Sequence, residues 1–168
     1  MKELPEIFCD MDGVIVDFFK GIREITGIDY KIKITDKHIV DAGYNIVRNT
    51  PHFWENLPPT HDYNELWEFI NRHKPHILTA KPNWDDKNVV NGKWNWILKY
   101  TPVDKYKFHC VERKDKKLYA INKYTGKPNL LIDDLKQNIE EFEDAGGIGI
   151  HHISSVTTVS KLKNMGFY

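Results

Sequence analysis

A chain of 168 residues, 40% hydrophobic and 29% charged, has the size and composition of one globular domain with room for a small insertion. Its formal net charge is zero, which argues against a broad basic surface for extended nucleic acid while leaving a local basic pocket compatible. Two cysteines without a C-x-x-C pair, no segment of membrane-spanning length and no long apolar run in the opening MKELPEIFCD exclude a disulfide scaffold and a membrane span, and predict buried thiols in a reducing, cytoplasmic compartment.

The first strand is expected at Ile7 to Cys9, and it ends abruptly in Asp10, Met11, Asp12 and Gly13. Residues 20–60 break the pattern that follows. This stretch is polar and aromatic-rich, closes on NTPHFWENLPPT, and reads as an insertion of small helices above a cleft, or else as an ordinary long connection. Beyond it, Leu66, Phe69 and Ile70 mark a helix, and His76 to Leu78 a strand that ends in Thr79. Val90, Trp94, Ile97 and Leu98 recur at helical offsets, so Lys93 between them is by default an exposed helix lysine. Strands follow at Tyr106 to Cys110 and at Leu130 to Ile132, the latter ending in Asp133 and Asp134. Leu135, Ile139 and Phe142 give a helix that Gly146 and Gly147 stop, before a strand at Ile148 to Ile150 and a last helix from Ser155 to Asn164. His151 and His152 have no partner at metal-ligand spacing and read as surface or strand-end histidines.

Strands alternating with helices predict an α/β fold, a Rossmann-like, mostly parallel sheet flanked by helices. The core would comprise residues 1–19 and 61–168, with 20–60 as a small helical cap inserted after the first strand. In such sheets the site lies beyond the carboxyl ends of the strands, which gathers Asp10, Asp12, Thr79 and Asp133 into one cleft. Clustered carboxylates repel one another and need a counterion, and an all-oxygen set suits Mg²⁺. Residues i and i+2 of an extended segment face the same side, so Asp10 and Asp12 can both address one phosphoryl group. One would be the nucleophile and the other an acid and base.

DMDGV, the apolar run ending in Thr79, a lysine ahead of the fourth strand and LLIDD resemble, in order, the four motifs of the haloacid dehalogenase (HAD) superfamily. DMDGVIVDFF and LLIDDLKQNIEEFEDAGGIGI look more specifically like the 5'(3')-deoxyribonucleotidases. The resemblance implies an aspartyl-phosphate on Asp10, with Asp12 as general acid and base that also gives its backbone carbonyl to Mg²⁺. It implies Asp133 as the other protein ligand, with Asp134 in support. Thr79 and the Ala80 backbone N–H would hold phosphate, together with a lysine. Lys114-Asp115-Lys116 is the best match to the Arg-Asp-Lys triplet of these nucleotidases, so Lys116 is the expected choice and Lys117 the reserve. Thr79-Ala80-Lys81-Pro82 departs from the usual Thr-Ser-Pro, trading a hydroxyl for a cation, and Lys81 would either touch phosphate or face solvent; the resemblance also often places a lysine at Lys93 in a similar aromatic context, where it could approach the phosphate end instead of standing exposed on its helix.

On the substrate side Phe18 sits at the position that lies near the base in the resembled enzymes, and Phe53 and Trp54 would complete an aromatic slot. The activity implied is hydrolysis of deoxynucleoside monophosphates, small molecules rather than extended nucleic acid. The alternatives are another phosphate ester, such as a sugar phosphate or a nucleic-acid 3'-phosphate end, and a non-catalytic nucleotide-binding module. The sequence leaves the choice between monomer and homodimer open.

Overall fold

The computed structural model describes residues 4–30 and 34–168. Residues 1–3 of the expected core and 31–33 of the expected insertion lie outside the described residues. Five strands form one sheet: β1 (Ile7–Cys9), β2 (His76–Ala80), β3 (Phe108–Val111), β4 (Leu130–Asp133) and β5 (Ile148–His151). Their spatial order is β3-β2-β1-β4-β5 and every neighbouring pair is parallel. Parallel neighbours require long crossovers, and helices supply them. These are α1 (Phe18–Thr26), α2 (Lys37–Asn49), α3 (Tyr63–Asn71), α4 (Val89–Tyr100), α5 (Lys136–Asp144) and α6 (Ser155–Asn164). No described helix is long and apolar enough to cross a membrane.

The two-residue alternation of the strands divides the core. Ile7, Cys9, Ile77, Leu130 and Ile132 pack on one face with Leu66, Ile70, Trp96 and Leu162. Phe8, Leu78 and Leu131 pack on the other with Ala120, Ile139 and Phe142. Both faces of β1 and β4 are therefore covered, which is why these strands are continuous apolar runs with no polar alternation. Both cysteines are free thiols, Cys9 buried and Cys110 half-buried.

Two expected elements shift. Residues 105–107 form a 3-10 turn, so β3 starts at Phe108 rather than Tyr106. The buried side of α4 is Val89, Lys93, Trp96 and Ile97, whereas Val90 and Leu98 are exposed. The expected apolar stripe was rotated by about one residue because a buried lysine breaks it.

After β1 the chain turns tightly. The Met11 carbonyl accepts from the N–H groups of Val14, Ile15 and Val16 at 3.1, 2.9 and 2.9 Å. Asp17 then caps α1, accepting from the Lys20 N–H at 3.0 Å, and Gly27 ends that helix in the left-handed region. The segment returns where it left: Asp17 N–H donates to Pro58 O at 2.8 Å and Thr60 N–H to Ile15 O at 3.0 Å. The described residues from α1 through the 3-10 turn at Trp54–Asn56 are thereby hung beside the carboxyl end of β1.

Candidate active site

The strand order reverses between β1 and β4, and that is where the acids meet. Asp10 continues the ladder, its N–H donating to Ile132 O at 2.9 Å, so its carboxylate emerges beside Asp133. Asp10, Asp133 and Asp134 each offer a carboxylate oxygen within 4.8 Å of the others. Of the three lysines proposed from sequence, Lys114 and Lys117 are exposed and Lys116 is buried. The 3-10 helix Arg113–Tyr119 carries its ammonium inward, 2.7 Å from Asp133 Oδ2 and 3.0 Å from Asp10 Oδ1. The contact to Asp10 is an ion pair rather than an aligned hydrogen bond, since that buried oxygen has no hydrogen-bond partner.

Asp133 is wholly buried and heavily bonded. Besides Lys116, it accepts from the Leu135 N–H at 2.9 Å and from Asn138 Nδ2 at 3.0 Å to each oxygen. Asn138 in turn accepts from Arg113 at 2.9 Å, and Arg113 is paired with Glu141 at 3.2 Å. Asp134 lies over Gly13, where a Cβ would collide with its carboxylate, and Gly13 adopts a φ of 78° that favours glycine. Asp12 points to the other side of the cleft. Its Oδ2 accepts from Lys93 at 2.6 Å and its Oδ1 is shielded without a partner.

Lys93 is not an exposed helix lysine. It is 1% exposed, and its three donors go to Asp12, Thr79 Oγ1 at 2.8 Å and the Ala80 carbonyl at 2.9 Å. Burying an ammonium is tolerated because each N–H meets an oxygen and one of these carries charge. Thr79 is fully buried, its hydroxyl accepting from Lys93 and keeping its own proton to donate.

The protonation equilibria follow from this crowding. Burial first, then the charge of Asp133, push the Asp10 carboxyl up, against the opposing pull of Lys116. Desolvation, followed by the charges of Asp10, Asp133 and Asp12, pushes Asp134 up to about 7. Burial pulls the Lys116 ammonium down, but Asp10 and Asp133 outweigh it and the net shift is upward. Four carboxylates at Asp10, Asp12, Asp133 and Asp134 face two ammonium groups at Lys93 and Lys116. When all four are ionised, as a bound cation favours, they carry two more charges than the ammonium groups, on oxygen donors alone, and the buried Asp12 Oδ1 has no hydrogen-bond partner. This donor set fits a hard divalent cation such as Mg²⁺.

The aromatic residues also converge. Phe18 and Trp54 line the cleft of about 540 Å³ that holds Asp10, Asp12, Lys93, Lys116 and Asp134. Their rings stack 5.8 Å apart. Phe53 is buried behind them, edge-on to both, and does not line the cleft. Sequence reasoning missed Asn138 and Trp84. Asn138 was legible as a polar residue four positions before Phe142, on the buried side of α5. Trp84, in a loop, carried no periodic signal at all. His152 is buried, its Nδ1 2.9 Å from Thr158 Oγ1, rather than on the surface, and His151 Nε2 lies 2.9 Å from the Asp134 carbonyl.

No protein-family model matches the chain. Among curated proteins it is similar to a candidate 5'(3')-deoxyribonucleotidase of Vibrio phage KVP40, 23% identical over 134 residues that cover 80% of this chain and 68% of that protein. Among solved structures it is similar to a hydrolase from Streptococcus pneumoniae TIGR4, with a TM-score of 0.63 and 14% identity over 96% of this chain and 100% of that one. It is also similar to a HAD-superfamily hydrolase from Ehrlichia chaffeensis, with a TM-score of 0.53 and 7% identity over 98% and 99% of the two chains. The expected fold class is thus met: a parallel α/β sheet flanked by helices, in the architecture of the HAD-superfamily hydrolases.

Proposed function

We propose that this protein is a Mg²⁺-dependent phosphomonoesterase that hydrolyses deoxynucleoside monophosphates through a phosphorylated Asp10. The observation that carries the reading is Lys116, a buried ammonium that ties Asp10 to Asp133 across adjacent strand ends. A cation held between those carboxylates is placed to balance charge as a phosphoryl group moves onto Asp10. The likeness to the phage nucleotidase supports the substrate class.

Asp10 attacks phosphorus with a carboxylate oxygen, and the bond from phosphorus to the nucleoside oxygen breaks. Asp12 enters this step as the carboxylic acid, with Oδ2 on Lys93 and the proton on the unpartnered Oδ1, and gives that proton to the departing oxygen. Water then attacks the acyl phosphate, returns a proton to Asp12, and releases phosphate from Asp10. Lys93 holds the Asp12 carboxylate in a fixed orientation for both transfers, and Thr79 keeps Lys93 in place while offering its hydroxyl proton to phosphate. Asp10, Asp134 and the Asp12 carbonyl would hold Mg²⁺, which supplies positive charge against the phosphate oxygens. This exchanges the roles that the resemblance assigned within the Asp133–Asp134 pair. The four hydrogen bonds that Asp133 already accepts suit it to position Lys116, whereas Asp134 is turned over Gly13 toward the cleft. Residues 20–60 act as the cap that limits bulk water.

Phosphate release from deoxynucleoside 5'- and 3'-monophosphates, ribose 5-phosphate and a 3'-phosphorylated oligonucleotide, with Mg²⁺ or EDTA, tests this. The expected result is Mg²⁺-dependent release from the deoxynucleoside monophosphates, lost in Asp10→Asn. Silence across the panel, or an Asp10→Asn variant as fast as wild type, refutes it.

A further inference from the structure

The amino ends of β1 to β4, opposite the acids, border a second cavity of about 580 Å³, a volume suited to a small molecule. Glu6, His76, Lys107 and Asn129 line it and stand at or just before the first residues of those strands. Asn129 and Asp133 lie at opposite ends of β4, about 13 Å apart along the strand. The cavity shares no lining residue with the catalytic cleft.

Part of its lining is a run of flat rings. Phe8 stacks on His76 at 4.6 Å and 26°, and Tyr119 lies 4.8 Å from His109. His76 Nδ1 and His109 Nε2 are 3.0 Å apart, with the ring planes 9° from parallel. One N–H fills that gap, so the two imidazoles satisfy each other there without charge, and burial lowers the pKa of both.

The rim is exposed and basic instead. Tyr124 is 98% exposed and Tyr106 70%. Tyr124 is held outward by a tight turn, in which Asn122 Oδ1 accepts from the Tyr124 and Thr125 N–H groups at 2.9 and 3.1 Å, and Asn122 N–H donates to Lys127 O at 2.8 Å. Lys107 and Lys123 line the cavity beside these rings. They belong to residues 105–127, which hold eight Lys and Arg against two Asp and Glu in a chain of zero net charge. Exposed rings set among lysines make a surface that stacks bases and attracts phosphate.

An independent observation lies deeper in the wall. Asn129 is 4% exposed, and its Nδ2 donates to Tyr119 O at 2.8 Å. That bond fixes the amide, because a flip would set two oxygens face to face. Its Oδ1 is therefore an acceptor, and it is buried without a partner. Buried acceptors are normally paired, so this wall is one donor short. The N–H edge of a base carries such a donor.

We propose that this cavity is a second, non-catalytic site for a nucleotide. The base stacks on the rim tyrosines with its N–H edge toward Asn129, and the phosphate meets Lys107 and Lys123. The site is independent of the reaction assigned to the acid cleft, but one element joins the two: the 3-10 helix Arg113–Tyr119 carries Lys116 to Asp10 and Asp133, and Tyr119 to this wall.

Proton–nitrogen NMR correlation spectra of the isotope-labelled wild-type protein in EDTA, titrated with adenosine 5'-monophosphate, locate binding residue by residue. Saturable shifts are expected at residues 106–109 and 118–129. Tyr124→Ala removes a side chain that folding does not bury, and should raise the half-saturating concentration about tenfold, with Tyr124→Phe restoring it. Lys123→Glu should weaken binding as well, most strongly at low salt. Adenosine and ribose 5-phosphate, each a part of the nucleotide, should both bind about tenfold or more weakly than the whole. Shifts confined to the acid cleft, or none, overturn the proposal, as does an unchanged half-saturation in Tyr124→Ala. Adenosine or ribose 5-phosphate binding as tightly as the nucleotide overturns it too. Failure of the reaction proposed for the acid cleft leaves these readouts unaffected, so the two readings fall separately.

Discussion

Lys93→Met replaces a buried ammonium by an apolar chain of similar length, and its cost can be worked from the three bonds it breaks. Asp12 loses its counter-charge at 2.6 Å, and the oxygens of Thr79 and Ala80 lose donors at 2.8 and 2.9 Å. Breaking a buried ion pair on one side costs about 3–5 kcal/mol. The Asp12 side chain is 31% exposed, so water recovers part of its solvation. The fully buried Thr79 hydroxyl has no such recourse. A loss of about 2–4 kcal/mol results, set against the 5–15 kcal/mol of an ordinary domain. Equilibrium urea unfolding followed by circular dichroism should show the midpoint falling by about 1–2 M. Phosphate release should fall as well, because Asp12 is no longer held. Lys93→Arg should not rescue it, since a planar guanidinium cannot reproduce three diverging bonds from one nitrogen. A midpoint within about 0.3 M of wild type, with turnover intact, would refute the assignment of Lys93 as the anchor of the cleft.

Three further expectations follow from the same geometry. Asn138→Leu keeps side-chain volume but removes two bonds to Asp133 and the acceptor for Arg113; turnover should fall about 10–100-fold, and Arg113→Met should add little in that background, which a double-mutant cycle of initial rates checks. Gly13→Ala puts a methyl group onto the Asp134 carboxylate at a φ of 78°, so it should lower both thermal midpoint and phosphate release, whereas Gly126→Ala, with open space around it, should cost only its backbone strain. Burial first, then neighbouring His109 and Lys107, lower the His76 pKa from 6.5 to about 4. Because the folded value lies below the unfolded one, the unfolded chain takes up the proton first. Stability is full above pH 6.5 and declines as pH falls toward 4, by about 2 kcal/mol once partial exposure of the ring is allowed for. Urea unfolding at pH 7.5 and 5 should show that decline, and His76→Phe, which keeps the stack on Phe8, should flatten it.

The strands and most helices were legible before any coordinates because burial on both faces leaves a strand no choice but a continuous apolar run. β1 and β4 are two of those runs, with Asp10 just beyond the first and Asp133 the last residue of the second. Asp10, Asp12, Asp133 and Lys116 were legible as a constellation for a related reason: several charges placed at the ends of buried strands are costly unless they face one another. The resemblance to a known set of motifs then pointed to Lys116 with Lys117 in reserve, and in the structure Lys116 is the buried one of the run.

What the residues alone determined is the parallel sheet, its helical cover and the convergence of acids at one end, since these depend on hydrophobic patterning and on the order of elements. Only the tertiary structure decided which polar groups are buried and what they face. Lys93 has by helical position the context of a solvent-facing residue, with only the resemblance pointing it to the phosphate end, until Asp12 and Thr79, from two other strand ends, supply its partners. Trp84 is one loop residue among many until Tyr44 and Trp54 close around it. The burial of a charge or of an indole is set by contacts between segments far apart in the chain, and no local pattern along one segment records them.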